Sequence, residues 1–240
     1  TSRLTDEAVT IIEKLEDKPF FLYFPHYGVH TPLEAPEELT KKYERIPQHQ
    51  QQGKPVYAAM VESIDQSVGR VLDALESAGK TNDTVIIFTS DNGGFYKATS
   101  NAPLRANKGA YYEGGIRVPL IIKWPGLSQP GRVIHEPVIT NDLYPTCLAA
   151  AGLSMTPHQH MDGENLAPLL HETETLSRDS LFWHFPHYRG RIMPYSIVRS
   201  GSWKLLKRYA GTPYELFNLA EDIGEKVELS AKMPDKVKQL

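Results

Sequence analysis

Phe88-Thr89-Ser90-Asp91-Asn92-Gly93-Gly94 is the stretch from which the rest of the chain can be read. It continues an apolar run that starts at Val85, and such a run reads as a strand buried on both faces. The run breaks off into a carboxylate, a side-chain amide and two glycines. In an open α/β sheet, ligands bind just beyond the carboxyl ends of the strands. An Asp91-Asn92 pair at such an end offers hard oxygen donors to a cation, and Gly93-Gly94 lets the backbone turn away without steric conflict.

Working outward, strand and helix signals alternate. Thr5-Asp6-Glu7 followed by Val9, Ile12 and Leu15 predicts a capped helix ending near Asp17. Pro19-Phe20-Phe21-Leu22-Tyr23-Phe24 predicts an apolar strand that empties into Pro25-His26-Tyr27-Gly28-Val29-His30-Thr31-Pro32. Glu34 to Lys54, with its prolines and the run Gln48 to Gln52, reads as a surface excursion. Met60, Ile64, Val68, Val71, Leu72 and Leu75 recur at helical spacing and predict a long amphipathic helix that stops at Gly79. Pro119 to Trp124 is the next strand, and Thr140 with Asn141 can cap a helix running to Gly152. This order predicts an α/β fold built on a doubly wound sheet.

After about Gly163 the character changes. Ser180-Leu181-Phe182-Trp183, Tyr195-Ser196-Ile197-Val198-Arg199 and Trp203-Lys204-Leu205-Leu206-Lys207 are short runs separated by turn residues. They predict a small antiparallel sheet with a closing helix near the C-terminus. The expected division is residues 1–163 for the α/β core and 164–240 for a small α+β subdomain.

The composition agrees with a globular protein: 40% of the 240 residues are hydrophobic and 10% aromatic. Net charge is −3, from 26 basic and 29 acidic residues, and no basic stripe stands out, which argues against nucleic acid as a partner. No apolar stretch reaches the roughly 18–20 residues of a membrane span. Cys147 is the single cysteine, so no intrachain disulfide can form, and its apolar neighbours suit a packed small hydrophobe. The chain opens on Thr1-Ser2-Arg3-Leu4, without an initiator Met or a signal peptide, and is expected to be part of a longer protein.

Three loops would converge if their strands are neighbours. One carries His26 and His30, the second Asp91 and Asn92, the third Arg105 and Lys108. Oxygen donors with no thiolate, and no His cluster beside Asp91, favour Ca²⁺ or Mg²⁺ over Zn²⁺. Two donors are too few for either ion, so the remainder must come from other sequence, substrate or water. A cation flanked by Lys and Arg makes a site for an oxyanion. Arg105 can contact substrate or anchor its loop, and Glu113 and Arg117 fit an internal ion pair better than a substrate contact.

These motifs together resemble the type I sulfatases, formylglycine-dependent enzymes of the alkaline phosphatase superfamily. The resemblance is carried by Asp91-Asn92-Gly93, by Lys108 ahead of Tyr112-Glu113-Gly114-Gly115-Ile116-Arg117-Val118-Pro119, and by Val29-His30-Thr31-Pro32-Leu33-Glu34-Ala35-Pro36. The segments from Arg199 to Leu206 and from Tyr214 to Leu219 fit as well. The resemblance implies that Asp91 and Asn92 are ligands of one Ca²⁺ (Mg²⁺ less so) and that Lys108 binds a sulfate oxygen; Arg105 stays a substrate-binding candidate from its place in the same loop. It also implies that His30 protonates the leaving alcohol, a role suited to a His near neutrality. The nucleophile of the family is a formylglycine made from Cys or Ser in an N-terminal motif. Cys147, followed by Leu148-Ala149-Ala150-Ala151, does not match that motif, so this chain is expected to carry half a site and to be inactive alone. By resemblance the substrate is a sulfated small molecule or glycan, and the location is periplasmic, extracellular or lysosomal.

Two other readings remain open at this point. A phosphoryl-ester hydrolase of the same superfamily would commonly place His after the strand-end Asp, where this chain has Asn92. A catalytically dead relative would bind sulfated glycans or a protein partner. In the sulfatase reading, Asp91, Asn92, Lys108 and His30 are expected to face one cavity at the carboxyl edge of the sheet.

Overall fold

The computed structural model describes residues 1–155, 158–159, 162–171, 175–190, 192–209 and 211–240. The chain forms two compact units. The first comprises Thr1–Thr84 with Phe95–Ser100, and the second Val85–Gly94 with Asn101–Leu240. The change of character expected at residue 163 falls inside the second unit.

The first unit is helical. α1 (Ser2–Glu13) starts three residues before the expected cap. Thr5 is inside it, almost fully buried, and its hydroxyl bonds Thr1 O at 3.1 Å and Ser67 Oγ at 2.6 Å. A hydroxyl that can satisfy itself against the preceding turn and a neighbouring helix has no need of the cap position. α2 (Glu37–Glu44) lies in the segment read as a surface excursion. It packs on α3 (Pro55–Ser77), helped by Lys42 Nζ against Glu62 at 2.8 Å. Pro55 opens α3 at a position where its missing N–H costs nothing, and Gly79 at φ +69° closes the turn beyond it. Ala59, Met60, Ser67, Ala74 and Leu75 form the buried stripe.

Pro19–Phe24 departs from the expected strand. It belongs to no ladder among the described residues, and its side chains alternate, with Phe21 and Tyr23 78% and 77% exposed. An apolar period of two dictates extended backbone, but a ladder needs a partner that supplies N–H and C=O groups.

In the second unit β1 (Ile86–Thr89) and β2 (Leu120–Lys123) pair antiparallel, Ile86 with Lys123 and Thr89 with Leu120. α4 (Glu113–Ile116) is the single turn between them. The expectation of burial on both faces is corrected: Phe88 is 37% and Ile121 63% exposed. Each of these strands has only the other as a ladder partner among the described residues, so apolar side chains remain open to solvent. Asp142, rather than Thr140 or Asn141, precedes α5 (Leu143–Ala150), and its side chain makes no cap bond to the helix. That fully buried carboxylate takes N–H bonds from Ile139 and Glu164 and a bidentate pair of bonds from Arg178 at 2.5 and 2.6 Å. α6 (Ala167–Leu170) follows.

The small antiparallel sheet appears where the alternation puts it. β3 (Ser180–Phe185), β4 (Tyr195–Ser200), β5 (Trp203–Arg208) and β6 (Glu215–Asn218) lie side by side in chain order. Gly201 at φ +54° makes the two-residue turn between β4 and β5. Tyr195, Ile197 and Leu206 form a core under one face of this sheet, with Tyr111, Tyr112 and Ile116 packed against it. That packing fastens the segment after Lys108 to the sheet. α7 (Pro234–Gln239) closes the chain.

Candidate functional site

Within the second unit, Asp91 and Asn92 stand on the bend that follows β1, Asp91 exposed and Asn92 half-buried. Thr89 Oγ1 donates to Pro119 O at 3.0 Å and Ser90 Oγ to Asn92 O at 3.1 Å, so the bend is fixed against the start of β2. Gly93 N–H then donates to Gly115 O at 3.1 Å. Here the expected role of the glycines is refined. Neither Gly93 nor Gly94 has positive φ. Gly93 is required instead by close approach: a Cβ there would sit 1.8 Å from Gly114 O. Gly114 in turn is 2.3 Å, by the same measure, from Ala106 O, and Gly115 is 2.1 Å from Ala110 O. Three backbones thus interlock: the Asp91 bend, α4 and the loop carrying Lys108.

The Lys108 loop is held from both sides. Lys108 N–H donates to Gly94 O at 3.0 Å, and Gly114 N–H to Arg105 O at 2.8 Å. Asn101 is a hub that the sequence reading missed. Its side-chain oxygen accepts Gly94 N–H, and its amide donates to Gly94 O, Ala106 O and Asn107 Oδ1, all between 2.9 and 3.3 Å. Ala106 is held at φ +63°, which these bonds help sustain. Lys108 itself is half-buried. The structure therefore brings Asp91, Asn92 and Lys108 onto one rigid backbone assembly.

Arg105 begins this loop with its guanidinium engaged. It lies 3.6 Å from the Tyr112 ring centroid and donates to Glu225 O at 2.9 Å. Tyr112 donates its hydroxyl to Glu215 at 2.8 Å, and burial first, then that carboxylate, push the phenol well above its usual range. Glu113 forms the internal ion pair expected of it, with Arg117 at 3.9 Å, and three stronger partners besides. Lys204 Nζ is 2.9 Å away, Arg199 3.4 Å, and its own N–H donates to Glu225 at 2.7 Å. The sequence signal for Lys204 was its place in the β5 alternation, on the same side as buried Leu206.

His26 and His30 belong to the first unit. His30 is exposed, with Nδ1 3.0 Å from Thr31 O, so that an Nδ1–H tautomer leaves Nε2 open. It helps line a cavity of about 540 Å³ in that unit, with Tyr27, Glu34, Gln66, Ser67 and Arg70. His26 is half-buried against Phe24, ring centroids 4.4 Å apart, with Nδ1 lacking a hydrogen-bond partner among the described residues. Burial lowers its pKa. Cys147 lies partly buried on α5, and burial pushes its thiol up, away from nucleophile character.

Among the described residues no cluster of three His, Cys, Asp or Glu side chains could hold a metal. Asp91 and Asn92, one carboxylate and one amide on a fixed bend, fit two positions of an oxygen shell that needs about six to eight. No described helix is long and apolar enough to cross a membrane.

Comparison with known proteins bears on this geometry. Residues 1–153 match the family model described as Sulfatase, and residues 106–239 match N-sulphoglucosamine sulphohydrolase, C-terminal. A sulfatase from Formosa agariphila is 42% identical over 98% of this chain and 46% of its own length. Human arylsulfatase H is 36% identical over 77% of this chain and 33% of its own. The crystal structure of Ps i-CgsB in complex with k-i-k-neocarrahexaose superposes with a TM-score of 0.88 at 34% identity, covering 99% of this chain and 52% of that one. The chain thus spans about half the length of these relatives or less.

Proposed function

Because the chain belongs to the sulfatase family, we propose that it supplies the C-terminal part of a site that hydrolyses an organic sulfate ester. The observation that carries this reading is the interlock of Gly93, Gly114 and Gly115, which fixes the oxygen donors Asp91 and Asn92 to the loop of Lys108. A sulfate ester is a tetrahedral monoanion, and its hydrolysis concentrates charge on the sulfuryl oxygens and the leaving oxygen. Stabilising that charge requires donors held in advance.

Asp91 and Asn92 fit two places around one Ca²⁺, with Mg²⁺ less suited to so open a bend. Lys108 donates to a sulfate oxygen. With Nδ1–H directed at Thr31 O, His30 donates a proton to the leaving alcohol from Nε2 when the ring is in its imidazolium form, and returns to the Nδ1–H tautomer. For Arg105, the stack on Tyr112 and the bond to Glu225 O favour anchoring the loop over contacting substrate. The attacking oxygen is assigned to a formylglycine in an N-terminal half of the full-length protein, and the cation draws charge from the sulfate oxygens when bound. The substrate class is a sulfated glycan or aryl sulfate; a relative of this chain binds k-i-k-neocarrahexaose. Such substrates place the enzyme in the periplasm, outside the cell or in the lysosome.

The test is expression of the full-length protein with a formylglycine-generating enzyme and assay on a generic aryl sulfate with and without Ca²⁺. Lys108→Ala and Asp91→Asn are each expected to lower kcat/KM by about 100-fold or more. Full activity in both variants rejects the assignment.

A further inference from the structure

The loop that carries Lys108 is closed by a buried charge cluster to which the reaction itself assigns no role. Lys204 Nζ lies 2.9 Å from Glu113 Oε1 and 2.8 Å from Glu225 Oε1. The three side chains are 1%, 2% and 0% exposed. Burying three charges is unfavourable unless each is paired and hydrogen-bonded, so the cluster is a costly way to hold β5, α4 and the segment after β6 together.

The connections explain what the cluster does. Glu225 grips the Lys108 loop at both ends: its carbonyl accepts Arg105 Nη1 at 2.9 Å, and its Oε2 accepts Glu113 N–H at 2.7 Å. It does so with its own backbone at φ +51°, a conformation costly for a side chain of this kind and held here by Glu225 N–H to Asp222 O at 3.1 Å. Lys204, buried near the start of β5, neutralises the two carboxylates that meet at the loop's end. Immediately after Glu113 come Gly114 and Gly115, whose carbonyls bear on the Asp91 bend. The sheet therefore reaches both halves of the donor set through one clamp.

The geometry points to Lys204 and Glu225 as positioning residues that hold Lys108 in register with Asp91 and Asn92. Neither touches substrate. The inference deepens the sulfatase reading and rests on it only for the activity it would modulate; the clamp has a readout of its own.

The charged groups facing the two carboxylates are Lys204 and Arg199 from the sheet, Arg117 beyond α4, and Arg105 at the Glu225 carbonyl. In Lys204→Met the carboxylates of Glu113 and Glu225 face each other without the ammonium between them. One of them can take a proton at low pH and restore a bond; at higher pH they repel. Burial already raises the Glu225 carboxyl against the opposing pull of Lys204.

The experiment uses the full-length protein and compares Lys204→Met, Glu225→Gln and the double variant with the parent. Hydrogen exchange is read at the amides of Gly93, Lys108 and Gly114, with the β4–β5 ladder as internal reference. In Lys204→Met, exchange at the loop amides is expected to rise by about tenfold or more at pH 8, by much less at about pH 6, while the ladder stays protected. Aryl-sulfate kcat/KM follows the same pH profile, and the double variant, lacking the like-charge pair, flattens both. Unchanged loop exchange, or a rise shared equally by the ladder, overturns the clamp. Should Lys204→Met fail to fold, Glu225→Gln carries the test, since it keeps an oxygen for Glu113 N–H while removing the charge and the acceptor beside Lys204; a smaller rise confined to the loop supports the clamp and none overturns it. Loop exchange that responds as expected in a protein without sulfatase activity sinks the functional reading and leaves the clamp standing.

Discussion

The two regions that carry candidate site residues are built by opposite means. Around Asp91, Asn92 and Lys108, main chain meets main chain: Gly93 N–H on Gly115 O, Lys108 N–H on Gly94 O, and glycines where any Cβ would collide. Around His30 the chain from Pro19 to Pro32 joins no ladder among the described residues and bends at Val29, Thr31 and Pro32, and Nδ1 of His30 bonds the adjacent Thr31. The first arrangement ties the backbones that carry the donors to one another, as stabilising a charged transition state demands. The second leaves a proton carrier at the end of a segment whose apolar side chains Phe21 and Tyr23 are still exposed. Donors for an anion gain most from being held rigidly; a general acid must follow the leaving group.

The contrast breaks most sharply at Gly93. Gly93→Ala would place a methyl group 1.8 Å from Gly114 O, and neither backbone can move without shifting Lys108 or the Asp91 bend. The second unit is expected to lose about 3 kcal/mol or more, measured by urea unfolding followed through tryptophan fluorescence. Trp124, Trp183 and Trp203, the only three in the chain, all belong to that unit. Gly69→Ala, inside α3 with nothing within 4 Å of the new Cβ, should instead stabilise the first unit by roughly 0.5–1 kcal/mol. A tolerated alanine at position 93 would end the claim that close approach, rather than turn flexibility, put glycine there.

Asn101→Ala sharpens the same point with a smaller effect. It removes one acceptor and three donor contacts at once, and strands the Gly94 amide. A loss of about 2–3 kcal/mol is expected. His30→Gln should leave stability within about 0.5 kcal/mol while reducing turnover in the full-length protein. If His30→Gln destabilises as much as Asn101→Ala, the two regions are not built differently after all.

How much of this was legible beforehand follows the same division. The small sheet was readable because each strand meets its partner within a few residues, so alternation in Tyr195–Ser200 and Trp203–Arg208 already encodes the pairing. α3 was readable from its stripe, although Leu72, on the expected face, is 40% exposed. Pro19–Phe24 was misread because an apolar run specifies an extended backbone and not its partner. Asp91, Asn92 and Lys108 were singled out by their motifs, yet the reason for Gly93 was not legible, since the atom it must avoid lies on Gly114, far along the chain. Asn101 had no signal at all. A single amide between Ser100 and Ala102 belongs to no period, and its importance exists only once three backbone groups and the Asn107 side chain surround it.

The smallest expected effect concerns pH and has opposite signs in the two regions. Burial lowers the His26 pKa, so the folded first unit prefers the neutral ring. Its contribution to stability is complete above the ordinary histidine value of 6.5 and is lost as pH falls through the lower folded value. Glu225 behaves in reverse. Burial raises its carboxyl, so the folded second unit binds this proton more tightly than the unfolded chain does. That contribution is complete below the ordinary carboxylate range and fades as pH rises through the folded value. Thermal melts between about pH 4 and pH 8 should therefore show helical circular dichroism weakening toward acid, a slope that His26→Phe flattens. Tryptophan fluorescence should show a component that weakens toward neutral pH and disappears in Glu225→Gln. Parallel slopes from both probes, unmoved by either substitution, would mean that the two units melt as one body and that their separate electrostatics never reach the stability of the whole.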